Sequence, residues 1–316
     1  FNTAISGVTV SGGDRKNLAP SEDYVENCHL ENFAYEMHSE TGGLETLNTV
    51  GVTFKNNVIH NDDSCALWMG GNDDYFAYNE IYNIGRETDD YGVVYGSAAG
   101  GIHQGVTMTH NYIHDCEYSG LYAGGYGQLS GFYSDALRNN GAKVDNNVFI
   151  NVECPIFFCN YHNLQAKGNL MLDKKDHSIR MWRSPYSDAI LEQQHQILAE
   201  QMADGTFYKA KNEVEAFNAL LYRAILYEPD YNKETQKTYW LKYPWLEHYL
   251  TSNPLEARYI VVNNNAVFNS EESNMLLPNS VAEYFDTNDN YLTADTVKMP
   301  EGKTSQYDRI DAAMKI

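Results

Sequence analysis

The carboxylates best placed to do chemistry are Asp90 and Asp135, in the segments Asp90-Tyr-Gly-Val-Val-Tyr-Gly and Ser130-Gly-Phe-Tyr-Ser-Asp135. Two carboxyl groups facing one cleft can divide labour. One, kept protonated, assists a leaving oxygen; the other, ionised, attacks or activates water, and cleavage of a glycosidic bond needs both. Read alone, each aspartate is first a turn residue capping backbone in a glycine-rich stretch. Around them Glu87, Tyr95, His103, Tyr122 and Tyr133 would line a sugar cleft, with aromatic faces against pyranose rings and polar groups on hydroxyls. Arg180 and Trp182 stand just before the pattern of the chain changes and would border the same groove, although packing is the plainer role for Trp182.

These residues need a frame, and a recurring asparagine phrase points to one. It reads Asn57-Val-Ile-His-Asn, Asn79-Glu-Ile-Tyr-Asn, Asn111-Tyr-Ile-His-Asp, Asn147-Val-Phe-Ile-Asn, Asn169-Leu-Met-Leu-Asp and Asn265-Ala-Val-Phe-Asn, with a weaker copy at Asn27-Cys-His-Leu-Glu-Asn. Successive steps are 30, 22, 32, 36, 22 and 96 residues, so 22 is the minimal coil and the longer steps carry insertions. A strand-rich period of that length predicts a parallel β-helix, an all-β solenoid whose coils stack through main-chain hydrogen bonds. Asparagine suits the sharp corner because it tolerates left-handed backbone and its amides can bond up a stack. Val58, Ile81, Ile113, Val148 and Leu170 are expected in register on successive coils, filling the bore.

Residues 1–183 read as coils opening inside strand-like text, Thr3-Ala-Ile-Ser-Gly-Val-Thr-Val, which suggests that upstream coils are missing. Residues 184–258 read as an inserted subdomain, mainly helical over about 187–255, with apolar residues at helical spacing such as Val214, Phe217, Leu221 and Ile225. It would flank the groove or make an oligomer contact. Residues 259–316 return to the coil phrase, with one more coil at Asn288-Asp-Asn-Tyr-Leu and a polar tail.

The phrases around Asp90, Asn111, Asp135 and Asn147, followed by Trp240, Lys242-Tyr-Pro and Pro254 before the returning Asn-Ala-Val-Phe, resemble bacterial right-handed parallel β-helix proteins related to glycoside hydrolases, among them fucosidase-like and xylanase-like members. The resemblance covers about residues 50–270. It implies a right-handed coil and a carbohydrate-active enzyme, with Asp90 and Asp135 each aligned to an acidic active-site position. Ser97-Ala98 stands where the family carries Arg-Asp, and Ala136 where it carries a second Asp.

Composition narrows the partners. The chain has 22 basic and 43 acidic residues, a formal charge of −21, which repels polyanions and gives no counterion-release handle on nucleic acid. The same field disfavours uronate polymers and suits a neutral glycan; the resemblance implies a neutral, fucosylated or xylose-containing oligo- or polysaccharide, met outside the cell, in the periplasm or at the cell surface. A polysaccharide lyase or epimerase would need a basic cluster that Gly85–Asp135 lacks. A non-catalytic glycan-binding or structural solenoid is the third reading. No stretch approaches the length of an apolar membrane span. The five cysteines fit no zinc spacing and read as buried thiols. No cofactor is expected. The acidic turns at Asn61-Asp-Asp and Asn72-Asp-Asp offer Ca2+ only unspaced ligands, His110 and His114 read as parts of the repeat, and Gly124-Gly-Tyr-Gly lacks the strand and helix of a dinucleotide site.

Overall fold

In the computed structural model the chain is described over residues 3–87, 89–96, 103–119, 129–135, 140–159, 163–173, 177–182, 229–251, 258–268, 275–276, 285–293, residue 295 and a few positions between 196 and 225. The strands form three sheets of eight, parallel throughout, and each coil contributes one strand to each sheet in turn. The first sheet includes Gly42–Thr46, Cys65–Trp68, Tyr91–Gly96, Leu129–Ser134, Cys154–Cys159 and Ile179–Trp182. The second runs from Tyr24–Glu26 to Phe285–Asp286 and the third from His29–Glu31 to Tyr291–Leu292. The chain is therefore a parallel solenoid. Stacking continues across the longest gap, since Gln165 pairs with Val261 and Leu170 with Ala266.

The bore is apolar because one row of each sheet points inward: Leu44, Leu67, Val94, Phe132, Ile156 and Ile179; then Phe54, Phe76, Met108, Val144, Ala166 and Val262; then Ile59, Ile81, Ile113, Phe149, Met171 and Val267. This corrects the expected row by one residue in three places. Val58, Val148 and Leu170 align instead with Glu80 and Tyr112 on the outer face, while Ile81 and Ile113 do lie in the bore. Because strand side chains alternate, a slip of one position exchanges inside for outside.

Asn57, Asn79, Asn111, Asn147, Asn169 and Asn265 are all buried, and each Nδ2 donates to Oδ1 of the next at 2.9–3.1 Å. The same Oδ1 accepts the preceding asparagine's main-chain N–H, and a second Nδ2 bond reaches a carbonyl, as from Asn79 to Phe54. Every polar atom of a buried amide is thereby used, which burial demands. The ladder ends at Asn290, the coil expected from Asn288-Asp-Asn, and begins at Cys28, whose N–H donates to Asn57 Oδ1 at 3.0 Å. The left-handed residue is the one before the ladder: Asn27, Asn56, Tyr78, His110, Asn146, Gly168, Asn264 and Asp289 all have φ of 54–63°. The ladder asparagine is thus selected for its amide, while its predecessor makes the corner.

Short helices, Pro229–Thr235 and Lys237–Lys242, precede a 3-10 turn at Pro244–Leu250. Their Tyr239, Trp240, Tyr243, Leu246 and Tyr249 pack with Leu18 and Val50. Tyr243 donates to Asp73 (3.0 Å), Trp245 Nε1 to Gln104 Oε1 (2.8 Å) and Asn140 to the Tyr249 hydroxyl, so this segment rides along the corner between the first and second sheets. Gly141, at φ 70°, leaves room for it, because a Cβ there would lie 2.3 Å from Trp245. Val214, Phe217 and Leu221, expected on a helical face, lie outside the described residues, whereas Ile225 is helical and buried. Among the described residues no helix is long and apolar enough to cross a membrane.

Candidate functional site

Both corners of the first sheet are elaborated in the two coils that carry Asp90 and Asp135. The connection entering the sheet is two residues between Asp62 and Cys65, but spans 85–90 before Tyr91 and 117–128 before Leu129. Asp90 is the last residue of its connection and Asp135 the first after its strand, where its N–H donates to Gly96 O at 3.0 Å. The strands Tyr91–Gly96 and Leu129–Ser134 are direct neighbours.

Two tyrosines hold the two carboxylates. Tyr133 donates to Asp90 Oδ1 at 3.0 Å and Tyr95 donates to Asp135 Oδ2 at 3.2 Å, and their rings meet edge to face at 5.3 Å. Tyr95 and Tyr133 are directly opposed across the strands, so each coil's ring reaches the other coil's carboxylate. Gly92 makes this close approach feasible, since a Cβ there would lie 2.7 Å from Tyr133 Cβ. Asp90 sits at φ 54°, a conformation common to the corners of this chain and in itself no sign of function.

The tyrosines belong to an outward row of the first sheet, Trp68, Tyr95, Tyr133, Phe157 and Arg180, in register on five coils. Tyr133 stacks on Phe157 at 4.5 Å, and the Arg180 guanidinium lies over the Phe157 ring at 5.1 Å. Tyr95 is 6% and Tyr133 2% exposed, so their faces are covered and their hydroxyls carry the contact with the aspartates. Both aspartates are half-buried, and Trp68, beside Tyr95 in the row, is partly open. Burial pushes the Asp90 carboxyl above the usual range; the Tyr133 hydrogen bond works against this, and the charge of Asp135 adds to it. Arg180 also reaches Asp90 electrostatically and lowers it.

Among the described residues, the other expected ones have partners of their own. Glu87 accepts from His38 Nδ1 at 2.6 Å, beside the Arg86–Asp63 ion pair at 2.7 Å, next to a cavity of about 350 Å³ lined by Asn32, His38, Asp62, Asp63 and Arg86 among others. There Asp62 is pushed up to about 6, chiefly by burial. His103 is buried before the Gln104–Asn140 bridge, at the opposite corner of the sheet. Tyr122, the Gly124 run, Ser97, Ala98 and Ala136 lie outside the described residues, as does the side chain of Trp182, whose backbone pairs with Cys159. The five cysteines are free thiols, four of them buried. Asp62, Asp63, Asp73 and Asp74, the residues of the acidic turns, are engaged by Ser64 N–H, Arg86, Tyr243 and Thr49 respectively.

Sequence reasoning missed Trp68 and Phe157. A signal existed: Trp68 and Arg180 follow ladder asparagines by eleven residues and Phe157 by ten, but the insertions before Tyr95 and Tyr133 hide that offset. No protein-family model matches the chain, and comparison with curated proteins and with solved structures finds no significant match.

Proposed function

We propose that this chain is a carbohydrate-active enzyme, a right-handed parallel β-helix that hydrolyses glycosidic bonds of a neutral, fucosylated or xylose-containing glycan. The observation that carries this reading is the pair Asp90 and Asp135, half-buried on adjacent coils and each held by a tyrosine hydroxyl from the other coil. Asp90, raised by burial, is the proton donor to the leaving oxygen. Asp135 is the partner that attacks the anomeric carbon or activates water. Tyr95 and Tyr133 fix both carboxyl groups, and the partly open ring of Trp68 offers a face to a neighbouring sugar. The resemblance to β-helix glycoside hydrolases supports the same assignment and a site of action outside the cell or at its surface.

Arg180 favours one competing reading. A cation on the Phe157 ring that reaches Asp90 electrostatically is what a lyase would use to neutralise a uronate carboxylate. The two are separated by incubating the full chain with aryl glycosides and with plant and mucin glycans, then analysing products. Reducing sugars without unsaturation support hydrolysis; a 4,5-unsaturated product establishes elimination, and binding without turnover rejects both in favour of a glycan-binding solenoid.

A further inference from the structure

The outer face of the third sheet carries a cluster unrelated to the carboxylate pair. His29 and Glu31 flank Leu30 on the strand His29–Glu31, so both point outward, and the next strand sets His60 directly beside Glu31. The two Nε2 atoms, of His29 and His60, face each other at 2.5 Å, and Glu31 Oε2 lies 3.9 Å from His60 Nε2. All three donor atoms fall within 4.8 Å of one another. His60 is buried, with its ring flat against Tyr82 at 4.5 Å and 7°, and Tyr82 in turn stacks on His114 at 5.0 Å. One ligand is therefore rigidly held, while exposed His29 is free to adjust.

We propose that His29, His60 and Glu31 form a zinc-type site, with water in the fourth position. Two imidazole nitrogens can face each other closely only by sharing a proton or an ion. Zn–N bonds of about 2.0–2.1 Å at a tetrahedral angle set the nitrogens about 3.3 Å apart. An outward swing of His29 by under about 1 Å achieves this, and the imidazole that carried the Nε2 proton takes its Nδ1–H tautomer, the proton exchanging through solvent, so that both rings bind as neutral ligands. Two imidazoles with one carboxylate select a borderline transition ion over Ca2+ or Mg2+, which take oxygen ligands. The strand His29–Glu31 neighbours Val58–Asp62 in the sheet, so the ion would tie the two coils together.

The test uses the full chain stripped with chelator and titrated with zinc chloride by calorimetry, with Co2+ as a spectroscopic probe and the thermal midpoint followed in parallel. Expected are one equivalent of zinc, a midpoint that rises with zinc, and visible Co2+ bands without a thiolate charge-transfer band. His29→Ala should weaken binding at least about tenfold and abolish the zinc-dependent rise of its own midpoint. Glu31→Gln should weaken binding too, whereas Cys28→Ser and His38→Ala should bind as wild type. Absence of zinc binding by the wild type, undiminished binding by His29→Ala, a thiolate band, or loss of binding in Cys28→Ser or His38→Ala would overturn the assignment.

Discussion

Tyr133 and Tyr95 decide what Asp90 and Asp135 can do. Each hydroxyl donates one hydrogen bond to a carboxylate that the fold leaves half-buried, so the side chains are aimed without being sealed off. The Tyr133 bond favours the ionised form of Asp90 and partly offsets the effect of burial. Tyr133→Phe removes that counterweight, so the Asp90 pKa should rise further. A reaction that needs protonated Asp90 is fully active below this pKa and fades as pH rises through it; the alkaline limb of a pH–rate profile should therefore move to higher pH in Tyr133→Phe. An unmoved limb would remove Asp90 from the acid role. The Gly- and Tyr-rich phrases of the two aspartates read by themselves as turns before ladder asparagines, and the resemblance is what singles them out as a pair. Their tyrosine partners are not assigned by the sequence, because the cross-coil exchange of hydroxyls depends on a register hidden by insertions of unequal length.

At the scale of the element, the asparagine ladder and the bore set stability. Asn111→Ala would leave the Asn79 main-chain N–H and one Nδ2 hydrogen without their acceptor and strip one of the two donors from Asn147 Oδ1, a loss on the order of 3 kcal/mol measurable by denaturant unfolding. Ile113→Ala, in the bore, should cost about 2–4 kcal/mol, whereas Val58→Ala, on the outer face, should cost well under half of that. Equal losses would mean that the register is misplaced. Gly141→Ala meets both a left-handed backbone and the Trp245 ring, and should destabilise by more than about 1 kcal/mol, with changed Trp fluorescence reporting the displaced segment. The repeat of asparagines is plain in the sequence because one buried amide per coil is an all-or-nothing requirement. Which neighbour points inward is less plain, since Val, Ile and Leu stand on both faces: Val148 and Leu170 are buried in an outer cluster with Tyr112 and Phe268. The cluster of His29, Glu31 and His60 is equally hidden, because only inter-coil register brings residues 29 and 60 together.

Over the whole molecule, charge and burial pull in one direction. The formal charge of −21 already opposes compaction and anionic ligands, and fully buried Asp74 is pushed up to about 7 by desolvation while accepting from Thr49 and Val52 N–H. A carboxyl whose folded pKa is raised contributes its full stability below its ordinary value of 3.8 and loses it as pH rises through the folded value, here about 6 for Asp62 and about 7 for Asp74. The thermal midpoint should accordingly fall from pH 5 to pH 8, and Asp74→Asn should flatten that decline; an unchanged slope would assign it to general charge repulsion. For the proposed hydrolase, the parallel coils set side by side two strands whose flanking aspartates, 45 positions apart, are linked through the Tyr95 and Tyr133 pair. The most direct test of that claim is turnover of a cleaved glycan by Asp90→Asn and Asp135→Asn, with unfolding followed alongside. The account predicts that each substitution lowers kcat by orders of magnitude while the thermal midpoint stays within a few degrees of wild type; wild-type turnover in either variant would contradict it.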